Sequence, residues 1–418
     1  MPSKTPESNA CPISHDFNPF DSDYLKDPYP HFARIRTEEP IFYSSELDHW
    51  VVSRYGDIRE VFLDSDRFSA SEAGTQLTPP CPAAQEILID ANFVPRTNLV
   101  DEDPPEHGKR RSILRQGMTN EQVAALEPEV RRFVTAALDR IEPCGEADLV
   151  RDLVYEVPAL TAFRLMGVPE AEVDRVKKYA SRLAIFFWGR PNEKEQVQLA
   201  QDFADYYKYA REHVAYLSEN IGTDYLSNAI IASRTEDGAE LFDEEYLHSL
   251  MIGHFFASHE TTTNAAANGF RLLLENRTHW ESICGDSTLI PRSIEEILRH
   301  SSSVPTWRRI TTRATSLAGV DLPAGAKLLL LTGSANHDEE VFQNPEAFDP
   351  TRKNANRNLA FGWGRHRCLG ENLARMEMRV IYEETSRRLP SLRLIEGQEW
   401  EYSPNTSFRG PAHLYVTW

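Results

Sequence analysis

A chain of 418 residues with 41% hydrophobic and 10% aromatic content can bury a large core, which excludes a disordered protein. A net charge of -19 excludes nucleic acid and anionic membrane as main partners, because both are held through clustered positive charge. Met1 to Phe20 is polar rather than a secretory signal, and apolar runs such as AKLLLL from Ala326 fall far short of the ~20 residues a spanning helix needs, so a soluble, cytoplasmic protein is expected.

The chain opens with a small, partly β region at about 29–70, where a short amphipathic helix (PHFARIRTEE) precedes the strand-like runs IFYSS and HWVVSRY and a helix starting near Gly56. Thr75 to Glu106 is polar and Pro-rich, with one short apolar helix at Ala83 to Ala91; long loops of this kind often carry function. Helical patterns fill 107–300, over Glu121 to Ile141, Leu149 to Met166, Glu170 to Phe187, Glu193 to Glu219, Asp243 to Asn276 and Ile290 to His300. Alternating and β-branched residues around PAGA predict strands in Thr306 to Leu331. A long irregular segment, a last helix from Leu369 to Leu389 and strand signals ending HLYVTW complete the β and cysteine-loop region of 304–418. No linker or internal repeat divides the chain, so a single domain over 1–418, mainly α with a minor β region, is expected.

The Asp243 to Asn276 helix, at ~1.5 Å per residue on the order of 50 Å long, would run through the middle of such a domain. Near its midpoint ASHETTTN, Ala257 to Asn264, breaks an apolar run with a carboxylate and hydroxyls. A helix end is excluded by position. A zinc site of the His-Glu-x-x-His kind is excluded because Thr263 stands where the second histidine would fall. A solvated face, a satisfied polar cluster and a reactive site remain.

The cysteines, Cys11, Cys81, Cys144, Cys284 and Cys368, are odd in number and never at Cys-x-x-Cys spacing, which indicates neither a disulfide framework nor structural zinc. Cys368 stands apart within FGWGRHRCLGENLARMEMR, Phe361 to Arg379. Two glycines permit a tight turn before it, and a helix starts directly after it. Helix dipole and flanking Arg365, His366 and Arg367 would lower its thiol pKa. Such a thiolate fits a nucleophile, a redox sensor or a haem ligand; the last requires a broad flat pocket and partners for two propionates.

FGWGRHRCLG fits Phe-Gly-x-Gly-x-His/Arg-x-Cys-x-Gly at every specified position. EILR (Glu296 to Arg299), DPPEHGKRR (Asp103 to Arg111) and ASHET (Ala257 to Thr261) accompany it in a fixed order. On these motifs the chain resembles the cytochrome P450 family, the haem-thiolate monooxygenases, nearly end to end. DHWVVSRY and SPNTSFRGPAHLYVTW make it similar to bacterial members fused to a flavin and iron-sulfur reductase, and to relatives linked with thiocarbamate and aryl-ether breakdown.

The resemblance implies the cytochrome P450 fold, with the long central helix lying over haem b. It implies Cys368 as iron ligand, His107, Arg111, Arg309 and His366 as propionate partners, and Ala257, Phe361 and Gly362 against the haem. Glu296 and Arg299 would form a buried structural ion pair; where the family often carries an arginine as third partner this chain has Ala347, so either Arg352 substitutes or the loop is held differently. Glu260 and Thr261 would relay protons. The implied reaction inserts one atom of O2 into a small apolar or aromatic substrate, by hydroxylation or by O-, N- or S-dealkylation. Electrons would come from NAD(P)H through a ferredoxin and reductase, or through a flavin/iron-sulfur reductase domain absent from this chain. Leu99, Phe186, Phe187, Phe255, Phe256, Val304 and Phe408 are pocket walls by analogy of position, and serve equally well as core. Lys109, Arg110, Arg115, Arg365, Arg367, Arg375 and Arg379 form a candidate docking patch for an acidic ferredoxin or flavin domain.

One position departs from the family pattern. Ser258 stands where glycine is usual; its hydroxyl can bond back to the carbonyl of His254 and loosen the helix, which predicts a tighter oxygen pocket. The rival reading is a haem-thiolate binder, sensor or peroxide-driven enzyme, which has little need of the Glu260-Thr261 pair.

Overall fold

The computed structural model describes residues 17–180 and 182–418; Cys11 and the rest of the polar opening segment before Phe17 lie outside them. Helices dominate, and the three longest begin where the sequence provides side-chain acceptors for their free amides. α6 (Asn120–Ile141) and α10 (Glu193–Glu219) open with reciprocal capping boxes built on Thr119 with Gln122 and on Asn192 with Glu195. Ahead of them in the chain lie α1 (Ser22–Lys26), α2 (Tyr29–Glu38), α3 (Tyr55–Leu63), α4 (Pro82–Asp90) and α5 (Glu106–Leu114). Between and after them come α7 (Glu156–Leu165), α8 (Val173–Ala180), α9 (Leu183–Trp188) and α11 (Tyr225–Ser233).

The central element is α12 (Glu244–Glu275), 32 residues long and capped by Asp243, whose side chain accepts from the Tyr246 amide. At ~1.5 Å per residue it spans about 48 Å. It is buried on nearly every side by α7, α10, α11 and by α15 (Glu371–Arg388), so an apolar circumference rather than one apolar stripe is what its sequence provides. α13 (Arg277–Gly285) and α14 (Ile290–His300) follow it. Among the described residues no helix is long and apolar enough to cross a membrane.

The minor β component is a five-stranded sheet in the order β1-β2-β8-β5-β3. It joins β1 (Ile41–Ser44), β2 (His49–Val52) and β3 (Phe68–Ser69) to β5 (Trp307–Thr311) and β8 (Lys327–Leu330); only β2 with β8 is parallel. The side-chain period of two along β5 sends Trp307 and Arg309 to one face and Arg308 to the other. β4 (Glu146–Asp148), β10 (Tyr415–Thr417) and β9 (Arg393–Leu394) make a second sheet in the order β4-β10-β9, and β6 (Thr315–Leu317) with β7 (Val320–Leu322) is a hairpin.

Two predicted helices are subdivided. Leu149 to Met166 begins as a π-helical turn, Val150–Val154, before α7. Glu170 to Phe187 breaks between α8 and α9, where Arg182 takes φ 71. Neither α11 nor α13 was expected, since each is too short for its apolar period to stand out.

Candidate active site

The cysteine loop is set by backbone requirements. The Cys368 amide donates to the Phe361 carbonyl at 2.9 Å, while Gly362 (φ 67) and Gly364 (φ 71) occupy left-handed conformations. A Cβ on Gly364 would stand 2.5 Å from the Phe62 carbonyl oxygen of α3, so a second reason forbids a side chain there. The Cys368 thiol is accessible, and so is Ala257 midway along α12, although Phe255 and His259 beside it are buried. Both therefore face a hollow inside the fold.

The low thiol pKa expected from the helix dipole and cations is not found. Burial pushes the Cys368 thiol above its ordinary value, outweighing the Gly370 amide, Arg111 and Arg375, while Glu371 adds to the rise. The sulfur opens onto the hollow yet lies deep within the protein, and that depth governs its acidity. A metal bound to the sulfur would remove the proton outright.

Beside Cys368 the structure brings together two histidines with unpartnered ring nitrogens and two arginines in no ion pair among the described residues. His107 of α5 and His366 of the cysteine loop place their rings 4.0 Å apart, and the His107 Nε2 and both ring nitrogens of His366 are buried without hydrogen-bond partners among the described residues. His366 approaches the Leu99 backbone without reaching hydrogen-bond geometry. Arg309, 3% exposed, donates to the Arg308 carbonyl at 2.8 Å and has no carboxylate partner among the described residues. Arg111 donates to the Arg367 carbonyl. Burial, with the nearby guanidinium groups of Arg111 and Arg365, pushes His107 down to about 4. Burial first, then Arg309 and the other neighbours, takes His366 down to about 2. Both imidazoles are thus neutral near pH 7, each with one N–H to donate, and Arg309 stays charged although burial lowers it to about 10. Buried donors facing no acceptor match a pair of carboxylates, as the propionates of haem would provide.

Above this edge, α12 carries the hydroxyls. Thr261 Oγ1 donates to the Ala257 carbonyl at 2.7 Å, and Ser258 Oγ to that of His254 at 2.7 Å. The serine bond is the one expected, but the helix remains continuous through it. Burial holds the Glu260 carboxyl above the usual carboxylate range, partly offset by the amide of Asn264, whose Nδ2 lies 3.4 Å from Oε1.

An aromatic cage stands where α9, α12, β5 and the C-terminal turn meet. Trp188 stacks on Phe256 (5.4 Å between centroids, 15°) and meets Phe408 edge-on (4.9 Å); Phe408 meets Phe256 at 5.0 Å, and Trp307 lies 6.2 Å from Trp188. Val304 and Phe187 pack against this group. Trp307 shares its strand face with Arg309, which ties the cage to the donor cluster. Three expected wall residues lie outside this group: Phe186 packs against Phe203 in the main core, Phe255 stacks on Phe163 at 4.3 Å, and Leu99 packs against the main core. Trp188 and Trp307 went unread in the sequence, although the two-residue step from Trp307 to Arg309 was available to find the latter.

Glu296 and Arg299 are wholly buried and bonded in bidentate fashion, at 2.8 Å each. Arg352 completes the group through Nε, 3.0 and 3.1 Å from the two carboxylate oxygens. The docking patch requires a correction. Arg110 is buried, paired with Glu102 and seated over the Tyr246 ring, and so presents nothing to a partner. Arg367, Arg375 and Arg379 are neutralised by Glu371, Glu295, Glu127 and Glu383. Lys109, Arg115 and Arg365 are exposed and in no ion pair among the described residues.

Comparison with known proteins agrees with this geometry. The family model "Cytochrome P450" matches residues 170–389. The cytochrome P450 monooxygenase PikC of Streptomyces venezuelae is 31% identical over 421 residues, covering 98% of this chain and 96% of its own. The P450 haem domain of Tepidiphilus thermophilus superposes with a TM-score of 0.93 at 38% identity, over 97% of each chain. An intact type IV self-sufficient cytochrome P450 monooxygenase gives 0.94 at 42% identity, over 98% of this chain but 53% of that one, so this chain spans about half its length. A thiol presented by a glycine-framed loop, with unmatched donors at one edge and hydroxyls on a buried helix, is accounted for by this kinship: the chain belongs to the cytochrome P450 family of haem-dependent monooxygenases, and to its bacterial kind.

Proposed function

We propose that the chain oxidises a small apolar or aromatic compound, by hydroxylation or by dealkylation at oxygen, nitrogen or sulfur, with NAD(P)H electrons delivered by a ferredoxin and reductase or by a flavin/iron-sulfur reductase domain. Cys368 would hold the iron of haem b, and His107, Arg111, Arg309 and His366 would bind its propionates. Bound there, haem with a thiolate ligand supplies dioxygen binding and cleavage of the O–O bond. The Trp188, Phe256, Trp307 and Phe408 rings, packed together, would keep water from that side of the site and favour a compact apolar substrate.

The observation that carries this reading over a binder or peroxide-driven enzyme is the pairing of Glu260 with Thr261. Oxygen reduction consumes protons in a dry site, where few groups can deliver them. Burial raises the Glu260 carboxyl above its ordinary range, which favours its holding a proton to pass on, and the Thr261 hydroxyl, one residue on, can pass one from Oγ1. Thr261→Ala is expected to leave haem content and NADH consumption within about twofold of wild type while product per NADH falls on the order of a hundredfold, the lower end for a proton-transfer group, and peroxide rises. Unchanged product per NADH would remove the proposal.

The free cations define the partner-facing test. Lys109→Glu with Arg115→Glu is expected to slow reduction by a ferredoxin on the order of tenfold at low salt, converging with wild type as salt rises. An equal rate at low salt would show that the partner does not dock there.

A further inference from the structure

The C-terminal turn Phe408–Arg409–Gly410 touches both the cage and the polar part of α12. Phe408 forms one wall of the cage, and its amide and carbonyl are both fixed by the side chain of Asn405, at 2.7 and 3.1 Å. Arg409 is held on every side. Its amide donates to the Ser303 carbonyl at 2.9 Å, its carbonyl accepts from Asn268 Nδ2 at 3.0 Å, and its guanidinium donates to the Leu25 and Lys26 carbonyls of α1 while lying 3.7 Å over the Tyr402 ring. Gly410 then meets Asn264 so closely that a Cβ would stand 2.4 Å from Oδ1 and 2.7 Å from Cα. Asn264 is the residue whose amide reaches Glu260. The cage also reaches Glu260 directly along the helix, because Phe256 precedes it by four residues on the same face.

We propose that Asn264, seated against the fixed Phe408 to Gly410 turn, is a positioning residue for Glu260, and that occupancy of the aromatic cage reaches Glu260 through Phe256 along α12. The inference rests on the proton-relay reading of Glu260. The chain of contacts is short and unbroken. Phe408 is backed by a clamped Arg409, so the turn stays fixed, and Gly410 seats Asn264 against that fixed turn. A guest between Phe408 and Phe256 therefore displaces Phe256 against a fixed wall, and the change reaches the Glu260 carboxyl along the helix while Asn264 stays seated on Gly410. Glycine at 410 is required by this approach, since any side chain would displace α12 itself.

The deciding experiment is infrared difference spectroscopy of the holoenzyme on addition of 4-phenylimidazole, which ligates the iron and fills the cage. The carboxyl band of Glu260, identified by its loss in Glu260→Gln, is expected to shift in wild type. The shift should vanish in Asn264→Leu and return in Asn264→Gln, which restores an amide donor. A band that shifts equally in Asn264→Leu, or in no variant including wild type, overturns the proposal. With 7-ethoxycoumarin as substrate, Asn264→Leu should raise peroxide per NADH roughly fivefold, the low end of coupling between two sites, with Asn264→Gln intermediate. Gly410→Ala should reproduce the leucine phenotype. If that variant does not fold, Phe408→Leu serves instead, and should weaken the infrared shift without changing the resting band. Should Glu260→Gln leave peroxide per NADH unchanged, the relay reading fails; should it raise peroxide while Asn264→Leu does not, the relay stands and the positioning role falls.

Discussion

Replacement of Cys368 by alanine is expected to lower turnover by at least about a thousandfold, equivalent to roughly 4 kcal/mol of barrier, and to abolish the red-shifted Soret band of the reduced carbon monoxide complex. The fold should survive. The loop is held by the Cys368 amide on the Phe361 carbonyl and by the left-handed glycines, none of which involves the sulfur. The sulfur faces the hollow, so its removal leaves no packed cavity, and stability without haem should stay within about 0.5 kcal/mol of wild type. Unfolding of the haem-free protein checks that part, and the carbon monoxide spectrum checks the ligand. A variant that retains the red-shifted band would mean that another group binds the iron.

Arg299→Met is the second large effect, here on stability rather than chemistry. The guanidinium spreads its donors over Glu296, the Asn336 carbonyl at 2.9 Å, the Pro345 carbonyl at 2.8 Å and the Ala347 carbonyl at 3.1 Å. Its loss leaves Glu296 half-paired in a site with no exposure and strips the Asn336 and Pro345 carbonyls of their donor, while the Ala347 carbonyl keeps Arg352. Breaking a buried pair costs about 3–5 kcal/mol, a large share of the 5–15 kcal/mol typical of a folded protein. Little soluble holoprotein should accumulate, and urea unfolding of what remains should show the loss. Arg299→Lys should rescue poorly, because a single ammonium cannot span that fan of acceptors. Arg352→Met should cost less, since Arg299 and the Asp349 amide, 3.0 Å from Oε1, still face the carboxylate. Equal stability of Arg299→Met and wild type would show that the carbonyls find other donors.

The two substitutions mark different degrees of legibility. The role of Cys368 was open to reading because glycine spacing, cysteine and helix start are local. Each backbone requirement lies within a few residues of the next, and the long α12 likewise declared itself through a continuous apolar run with a polar interruption. The third member of the ion-pair group was legible only as a candidate: Arg352 lies 56 residues from Glu296, and loop geometry alone brings its Nε to the carboxylate. The acidity of Cys368 was read with the wrong sign, since dipole and neighbouring cations are visible in sequence and burial is not.

What the sequence alone determined about this protein is therefore its helical class, the cysteine loop, the hydroxyl-bearing central helix and the family these imply. All depend on interactions between residues near one another along the chain. Only the tertiary structure decided which cations are free, which aromatic rings form the cage, and that Asn264 stands between Glu260 and the C-terminal turn. Arg110 shows why: its charge pattern matches that of Lys109, and only the approach of Glu102 and of Tyr246 from α12 removes it from the surface. Charge, burial and ring contacts depend on what other segments bring alongside, and that is a property of packing rather than of residue order.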